Sequence, residues 1–305
     1  MGVVCQILIN RTEEGFFRAG QVVTGTLKYA IDEPTRYESI DLSFLGKGKC
    51  HWTRKEGKHN RHYRNKEVYV SVTMKLFSPA PDEKLDAGTY EHPFEFLLPD
   101  TIPTSFKDII CQIRYRVIVK FLQNNFFNKG QTFEAEVPVY GYVGPWAPEP
   151  LIFGVKKYLL TCSPQNTVTV KAEIDKTILI PGENICLRVT VNNDSNVPVI
   201  IKSELIKCLT YTSSTSKVTK VVKESILATG ECSASVKELS MTEFTRLIPT
   251  QRTMYSIQNT KVMMGEYKVK VTAVVPCPHI NASVEVPVVI GERRHRLKPR
   301  APDPE

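Results

Sequence analysis

Apolar and polar residues alternate with a period of two along most of the chain. Over Val68–Phe77 one face reads Val68, Val70, Val72, Met74 and Leu76, and the other Tyr69, Ser71, Thr73, Lys75 and Phe77. Over Ile109–Leu122 the apolar row is Ile109, Cys111, Ile113, Tyr115, Val117, Val119 and Phe121, set against Gln112, Arg114, Arg116 and Lys120. Val23, Leu27, Tyr29 and Ile31 form a similar row. The second half repeats the habit with Val168, Val170, Ala172 and Ile174, then Ile185, Leu187, Val189 and Val191 after a Pro181-Gly182 turn. Near the end come Tyr267, Val269, Val271, Ala273 and Val275, then Ile280, Ala282, Val284, Val286, Val288 and Ile290. Successive strand residues point to opposite faces, so this pattern predicts strands with one dry and one wet face. Such strands form antiparallel sheets that pack as sandwiches.

Helical periodicity is missing. The one candidate is a turn or two around Thr104–Ile110, where Ser105 follows Pro103 and could cap it. Without strand–helix alternation a doubly wound nucleotide-binding fold is excluded. Proline is densest in VGPWAPEP at 143–150, a stretch that cannot join a central strand. The expected organisation is therefore all-β: a first sandwich over 1–145, a Pro-rich linker over 146–152, a second sandwich over 153–291 and a basic tail without apolar periodicity over 292–305.

At 305 residues the chain suits two domains, each large enough for its own core. No apolar run reaches the ~18–20 residues of a membrane helix. The N-terminus lacks a basic n-region and a small-residue cleavage site, so a cytosolic chain is expected. Asn10, Asn193 and Asn281 then match N-x-[ST] without meeting glycosylation machinery. Met1-Gly2 with Cys5 is close to a dual lipid anchor, but Gln6 stands where Ser or Thr is needed and Val3–Ile9 reads as the first strand. Cysteines at 5, 50, 111, 162, 186, 208, 232 and 277 form no C-x-x-C pair, and most are expected to be buried, reduced thiols.

The net charge of +8 is uneven. Lys47, Lys49, Arg54, Lys55, Lys58, Arg61, Arg64 and Lys66 crowd into one segment with Glu56 as the one acid among them, and Arg293, Arg294, Arg296, Lys298 and Arg300 close the chain. Unpaired charges are costly to bury, so 47–66 is expected to be an exposed loop that steers anionic partners such as phospholipid headgroups or acidic peptides. Trp52 and Tyr63 within it also suit stacking on nucleic acid, but no RNP, KH or homeodomain pattern accompanies them, and no specific nucleic-acid partner is expected. Cys50, His51, His59 and His62 are metal-ligand types at a spacing that fits no zinc motif. Motifs for a G-x-S-x-G nucleophile, H-E-x-x-H, a P-loop or G-x-G-x-x-G are absent. No catalytic, cofactor or metal residue is assigned, and a non-enzymatic protein is expected.

Seven segments, in order, resemble the arrestin family, specifically its arrestin-domain-containing (α-arrestin) branch. They are GFFRAGQVVTGTLKY at 15–29, IDLSFLGKGKCHW at 40–52, YEHPFEFLLPDTIPTSF at 90–106, IRYRVIVKF at 113–121, VTVKAEIDKTILIPGENICLRVTVNNDSN at 168–196, LIPTQRTMYSIQNTKVMMGEYKVKVTA at 247–273 and VEVPVVIG at 284–291. The resemblance implies two tandem arrestin-like sandwiches. It also implies an adaptor that links membrane-protein cargo to trafficking proteins and ubiquitin ligases, cytoplasmic and peripheral to plasma membrane and endosomes. The ligase link in that branch runs through P-P-x-Y motifs, and this sequence has no Pro-Pro pair and no P-[ST]-A-P, so direct ligase recruitment is not expected. A member without the tail, an isoform and a truncated chain are the open readings. The alternatives are a retromer-type coat subunit with an arrestin-like fold and, further off, a nucleic-acid-binding β protein.

Overall fold

A computed structural model of the chain describes residues 2–80, 83–123, 130–144, 150–160, 166–214, 220–229 and 234–293. Among these there is no helix. The chain forms two compact units. The first is 1–142 together with 211–221 and 258–263, and the second comprises 143–210, 222–257 and 264–305.

In the first unit, β1 (Val3–Ile9), β2 (Phe17–Arg18), β3 (Val22–Ile31), β4 (Ser39–Glu56), β5 (His59–Phe77), β6 (Gly88–Leu97), β7 (Phe106–Lys107), β8 (Cys111–Leu122), β9 (Gln131–Val137) and β10 (Val139–Tyr140) build two antiparallel sheets. One runs β1-β3-β6, and the other β5-β4-β8-β7 with β9 on β8. The rows read from alternation face each other across the core. Phe44 of β4 stacks on Phe96 of β6 with ring centroids 5.5 Å apart, and Tyr29 of β3 meets Phe121 of β8 edge-on at 5.2 Å. The aromatic edge–face and offset contacts add to burial of the flanking Val23, Leu27, Ile40, Leu42, Val117 and Val119, all fully enclosed.

The second unit holds β11 (Leu151–Tyr158), β12 (Thr167–Ile174), β13 (Ile178–Leu179), β14 (Ile185–Asn193), β15 (Val199–Thr212), β16 (Lys220–Thr229), β17 (Ala234–Val236), β18 (Ser240–Ile248), β19 (Met263–Val274) and β20 (Ala282–Ile290), the ends of β15, β16 and β19 being counted with the first. Sheets β11-β12-β14-β18 and β13-β20-β19-β15-β16 enclose one apolar core. Among the described residues parallel pairing is confined to short stretches: Val139–Tyr140 on Phe17–Arg18, Ile178–Leu179 on Val289–Ile290, and the single bridge of Val143 with Arg293. Both sandwiches are thus antiparallel, as the alternation requires.

Four expectations change. Thr104–Ile110 is not helical, because its backbone is used elsewhere. Ser105 exchanges hydrogen bonds with Val139, its N–H to the carbonyl at 2.7 Å and its Oγ accepting the Val139 N–H at 2.9 Å, and Phe106–Lys107 pair with β8. Asp108 Oδ1 then accepts the N–H groups of Ile110 and Cys111, closing a turn that leaves Ile109 exposed rather than in the dry row. Of the anticipated linker 146–152, residues 151–152 already belong to β11, and 146–149 lie outside the described residues. Of the anticipated tail, Glu292 and Arg293 are held by Val143, whose N–H donates to the Glu292 carbonyl, while 294–305 and their basic cluster lie outside the described residues. Lastly, of the described cysteines Cys50 and Cys111 are buried, Cys5, Cys186 and Cys208 are half-buried and Cys277 is exposed, so buried thiols are the minority; Cys162 and Cys232 lie outside the described residues.

Candidate functional site: the basic hairpin

Residues 47–66 do not form a loop. They are the distal half of one long hairpin in which β4 and β5 stay paired down to Glu56 and His59, closed by Gly57 and Lys58. Gly57 has φ +64°, the left-handed conformation that glycine adopts without strain. The cationic sequence stays extended because its alternate positions still carry an inward row. Gly48, Cys50 and Trp52 lie opposite Glu67, Asn65 and Tyr63. Trp52 stacks on Tyr63 with centroids 5.3 Å apart and planes 9° off parallel. Segments 211–214 and 258–263 of the same unit cover that row. Asn65 Nδ2 donates to the carbonyls of Thr212 and Lys261, both at 3.0 Å, Cys50 Sγ donates to the Thr212 carbonyl at 3.2 Å, and Glu67 accepts the Lys261 N–H at 2.7 Å. Burial here pushes the Cys50 thiol up to about 11, so it is an inert packing group.

The opposite face gathers the charge. Residues directly opposed on antiparallel strands point the same way. Lys47, Lys49, His51, Thr53 and Lys55 therefore share a face with Val68, Lys66, Arg64, His62 and Asn60. Five of the eight anticipated residues come together there: Lys47, Lys49, Lys55, Arg64 and Lys66. Arg54 and Arg61 oppose one another on the other face near the tip, and Lys58 occupies the turn. All are exposed except Lys47, which is half-buried.

The register sets cations against cations at two pairs and a histidine beside a third cation. Lys49 faces Lys66, Arg54 faces Arg61 and His51 faces Arg64. His51 Nε2 lies 3.3 Å from His62 Nδ1, with the rings stacked 5.6 Å apart. Like charges directly opposed on a sheet are destabilising, by up to about 1 kcal/mol relative to a neutral pair. The relief within the hairpin is Glu56, whose carboxylate accepts the Tyr63 hydroxyl at 2.5 Å and pairs with Arg61 at 3.2 Å. Those two donors hold the Glu56 carboxyl below its usual range. The contrast lies one strand away. On the same face of β8, Arg114 and Arg116 are each matched by an acid from β9, Glu136 and Glu134. The sheet neutralises its cations where β9 reaches, and Asp41 opposes Lys75 and Glu56 pairs with Arg61 on β4 and β5, but among the described residues no ion pair neutralises Lys49 or Lys66.

The metal-ligand types do not converge. Cys50 and His51 are neighbours on a strand and so face opposite sides, and His59 opposes Glu56 at the tip while His62 joins His51. Among the described residues no cluster of three His, Cys, Asp or Glu side chains could hold a metal. Sequence reasoning missed the covering segments 211–214 and 258–263, which lie far off in sequence and carry no local sign of their destination. It also missed that the cations lie on a pleat, although the alternating Gly46, Gly48, Cys50 and Trp52 carried that signal.

Known proteins give this architecture a name. Residues 5–140 match the N-terminal domain of arrestin (or S-antigen), and 164–295 match its C-terminal domain. The chain is 22% identical to human Arrestin domain-containing protein 5 over 313 aligned positions, 95% of this chain and 88% of that protein. It is 24% identical to the bovine protein of the same name over 208 positions, 64% of this chain and 61% of that one. To Arrestin domain-containing protein 17 of Caenorhabditis elegans it is 30% identical over 123 positions, 36% of this chain and only 28% of the nematode protein. With both domains matched in order and relatives of this name along nearly its whole length, the chain belongs to the arrestin family, in its arrestin-domain-containing (α-arrestin) branch.

Proposed function

We propose that this chain is a non-enzymatic adaptor in protein transport, which binds membrane-protein cargo and trafficking proteins and regulates endocytic sorting or ubiquitination. It does so in the cytoplasm, at the plasma membrane and endosomes. Family membership supports the adaptor role, since arrestin-type sandwiches act as scaffolds that bind other proteins. The observation that carries the reading is the cationic distal half of β4 and β5, with Lys49 set directly opposite Lys66 and Arg54 opposite Arg61. A hairpin that crowds cations together fits a partner of opposite sign, here the anionic surface of a membrane, with Lys47, Lys49, Arg54, Lys55, Lys58, Arg61, Arg64 and Lys66 as the contact set. Each Lys or Arg close to such a surface contributes about 1 kcal/mol, and the attraction fades with salt over a Debye length of about 8 Å.

The test is sedimentation with phosphatidylserine-containing vesicles in about 50 mM salt, where screening is weak. Replacing Lys55, Lys58, Arg61 and Arg64 by Glu should weaken binding roughly tenfold or more without lowering Tm. Equal binding by the reversed variant and the parent would reduce the hairpin to a solvated surface feature.

A further inference from the structure

Residues 68–74, Val-Tyr-Val-Ser-Val-Thr-Met, are seven consecutive uncharged positions dominated by β-branched and aromatic side chains. They lie in β5, which among the described residues pairs with β4 alone and is therefore the edge of its sheet. The sheet β5-β4-β8-β7 with β9 is wider than the three strands facing it, and β5 overhangs. Val72 opposes the fully buried Phe44 on the inward side yet is 47% exposed, and Met74 opposes the buried Leu42 yet is 39% exposed. Edge strands expose a row of unpaired N–H and C=O groups, which proteins blunt by shortness, charge or covering. Here β5 is 19 residues long and its charges sit towards one end, at Arg61, Arg64 and Lys66, with Lys75 following the run. An uncharged β-forming run on an open edge is a template for another strand.

We propose that the edge of β5 receives an extended segment of a partner protein as an added antiparallel strand. The segment carries alternating apolar or β-branched residues against Val70–Met74 and, past the irregular step at Tyr69, acidic residues towards its C-terminus against Lys66, Arg64 and Arg61. The direction follows from the sheet, which is antiparallel at every pairing. A strand running against β5 meets Met74 first and Arg61 last, which fixes the order apolar then acidic. Backbone pairing ends by Lys66, because the Arg64 carbonyl already accepts the Ser214 N–H at 3.0 Å, and side-chain charge alone acts beyond it. Charge also chooses the occupant: a second copy of β5 brings Arg61, Arg64, Lys66 and Lys75 against one Glu67 and repels itself. The inference rests on the same basic strand as the proposed adaptor role, and names the cargo chemistry that strand would take.

A fluorescent peptide of alternating Thr and Val ending in a run of Asp and Glu tests it against the same peptide in reversed order. The forward peptide should bind at least tenfold more tightly, and it should slow amide hydrogen exchange across 68–75. Val72→Asp should abolish both effects at unchanged Tm. Equal affinity for the reversed peptide, or binding without exchange protection, would leave only a charge contact and overturn the proposal. So would a concentration-dependent dimer that Val72→Asp dissolves, or the same exchange protection produced by anionic vesicles alone. Peptide protection that persists while charge reversal leaves vesicle binding untouched would sink the membrane reading and keep this one; the converse would do the opposite.

Discussion

The hairpins β4–β5 and β19–β20 are both built from alternating sequences, and they use their outward faces in opposite ways. In β19–β20 the inner row is Tyr267–Val288, Val269–Val286, Val271–Val284 and Ala273–Ala282, every member buried. Its outer face matches signs: Lys270 opposes Glu285, and Lys268 Nζ lies 2.9 Å from both Glu285 and Glu224. In β4–β5 the inner row is buried on β4 as far as Trp52 while its β5 members Val72 and Met74 are exposed, and the outer row sets Lys49 on Lys66. The first hairpin is what cross-strand pairing favours when nothing but folding is at stake. The second departs from it at Lys49–Lys66 and again at Arg54–Arg61, and such departures concentrate where a partner, rather than the fold, makes use of the residues.

The sharpest way to break this comparison is to place the same side chain in both hairpins. Val286→Asp would bury an unpaired carboxylate in the second core and should cost about 4 kcal/mol or more, enough to leave that unit largely unfolded in a urea titration. Val72→Asp in β5 should change stability by no more than about 0.5 kcal/mol, because the side chain already meets water. Comparable losses would mean that β5 is covered in solution and is no free edge.

A smaller effect is expected where the two styles of strand meet within β4. Gly46 opposes Val70 and Gly48 opposes Glu67, and the ladder is irregular between Gly46 and Lys47. A Cβ on Gly46 would come within 2.5 Å of the Tyr115 ring, whose hydroxyl is fixed by donating to the Pro103 carbonyl at 2.7 Å. Gly46→Ala should therefore cost about 1–3 kcal/mol by overpacking. It should also loosen the distal half of the hairpin, read as faster amide exchange at 50–65. A neutral substitution would show that the irregularity is tolerant slack rather than the joint that turns the cations onto one face.

The same irregularity explains what could be read in advance and what could not. The buried rows of β3, β8, β12, β14, β19 and β20 follow the alternation nearly residue by residue, since each is packed on a facing sheet and the period of two is enforced by burial. In Val68–Phe77 only Val70 of the anticipated dry row is buried. The irregular register between Gly46 and Lys47 sets Val68 opposite Lys47 on the outward face, and Val72 and Met74 lie past the facing sheet. Neither cause is local to the strand: one is the partner's register, the other the width of the opposite sheet. Ile280 likewise extends its row in sequence but precedes β20 and is exposed. The charge of 47–66 was legible; its pleated arrangement depends on pairing with residues on the other side of a turn and on cover from 211–214 and 258–263.

Titration distinguishes the hairpins more finely. Burial lowers the affinity of Lys268 for its proton, but hydrogen bonds to Glu285 and Glu224 outweigh it and raise the folded value above the usual 10.5. Hydrogen bonding from Lys268 lowers Glu224 below its usual 4.5. A raised lysine contributes stability that is fully present below 10.5 and is lost as pH climbs through its folded value. A lowered carboxylate contributes above 4.5 and is lost as pH falls through its own. The stability gap between the parent and Lys268→Met should therefore be widest between about pH 5 and about pH 10 and close at both ends. A gap that stays constant across pH would mean that Lys268 acts through its packing alone. In β4–β5 the corresponding acid is Glu56, lowered by Tyr63 and Arg61, so acid should weaken the tip while making it more cationic.

The smallest effect carries the most information. In Lys66→Glu the new carboxylate stands directly opposite Lys49, so a repulsive pair becomes an attractive one. Cross-strand pairs of opposite charge contribute about 0.2–1 kcal/mol, and the side chains are exposed, so nothing needs to be buried to gain it. Stability should rise by that amount, with the urea midpoint moving up and its slope unchanged. The same substitution removes one positive charge from the outward row and adds a negative one, so affinity for anionic vesicles should fall. Opposite movements of stability and binding are what a surface shaped by a partner must give, because the residue is then held against the interest of the fold. If stability and binding fell together, Lys66 would be a structural residue, and the Lys49–Lys66 pair would owe its persistence to the hairpin itself.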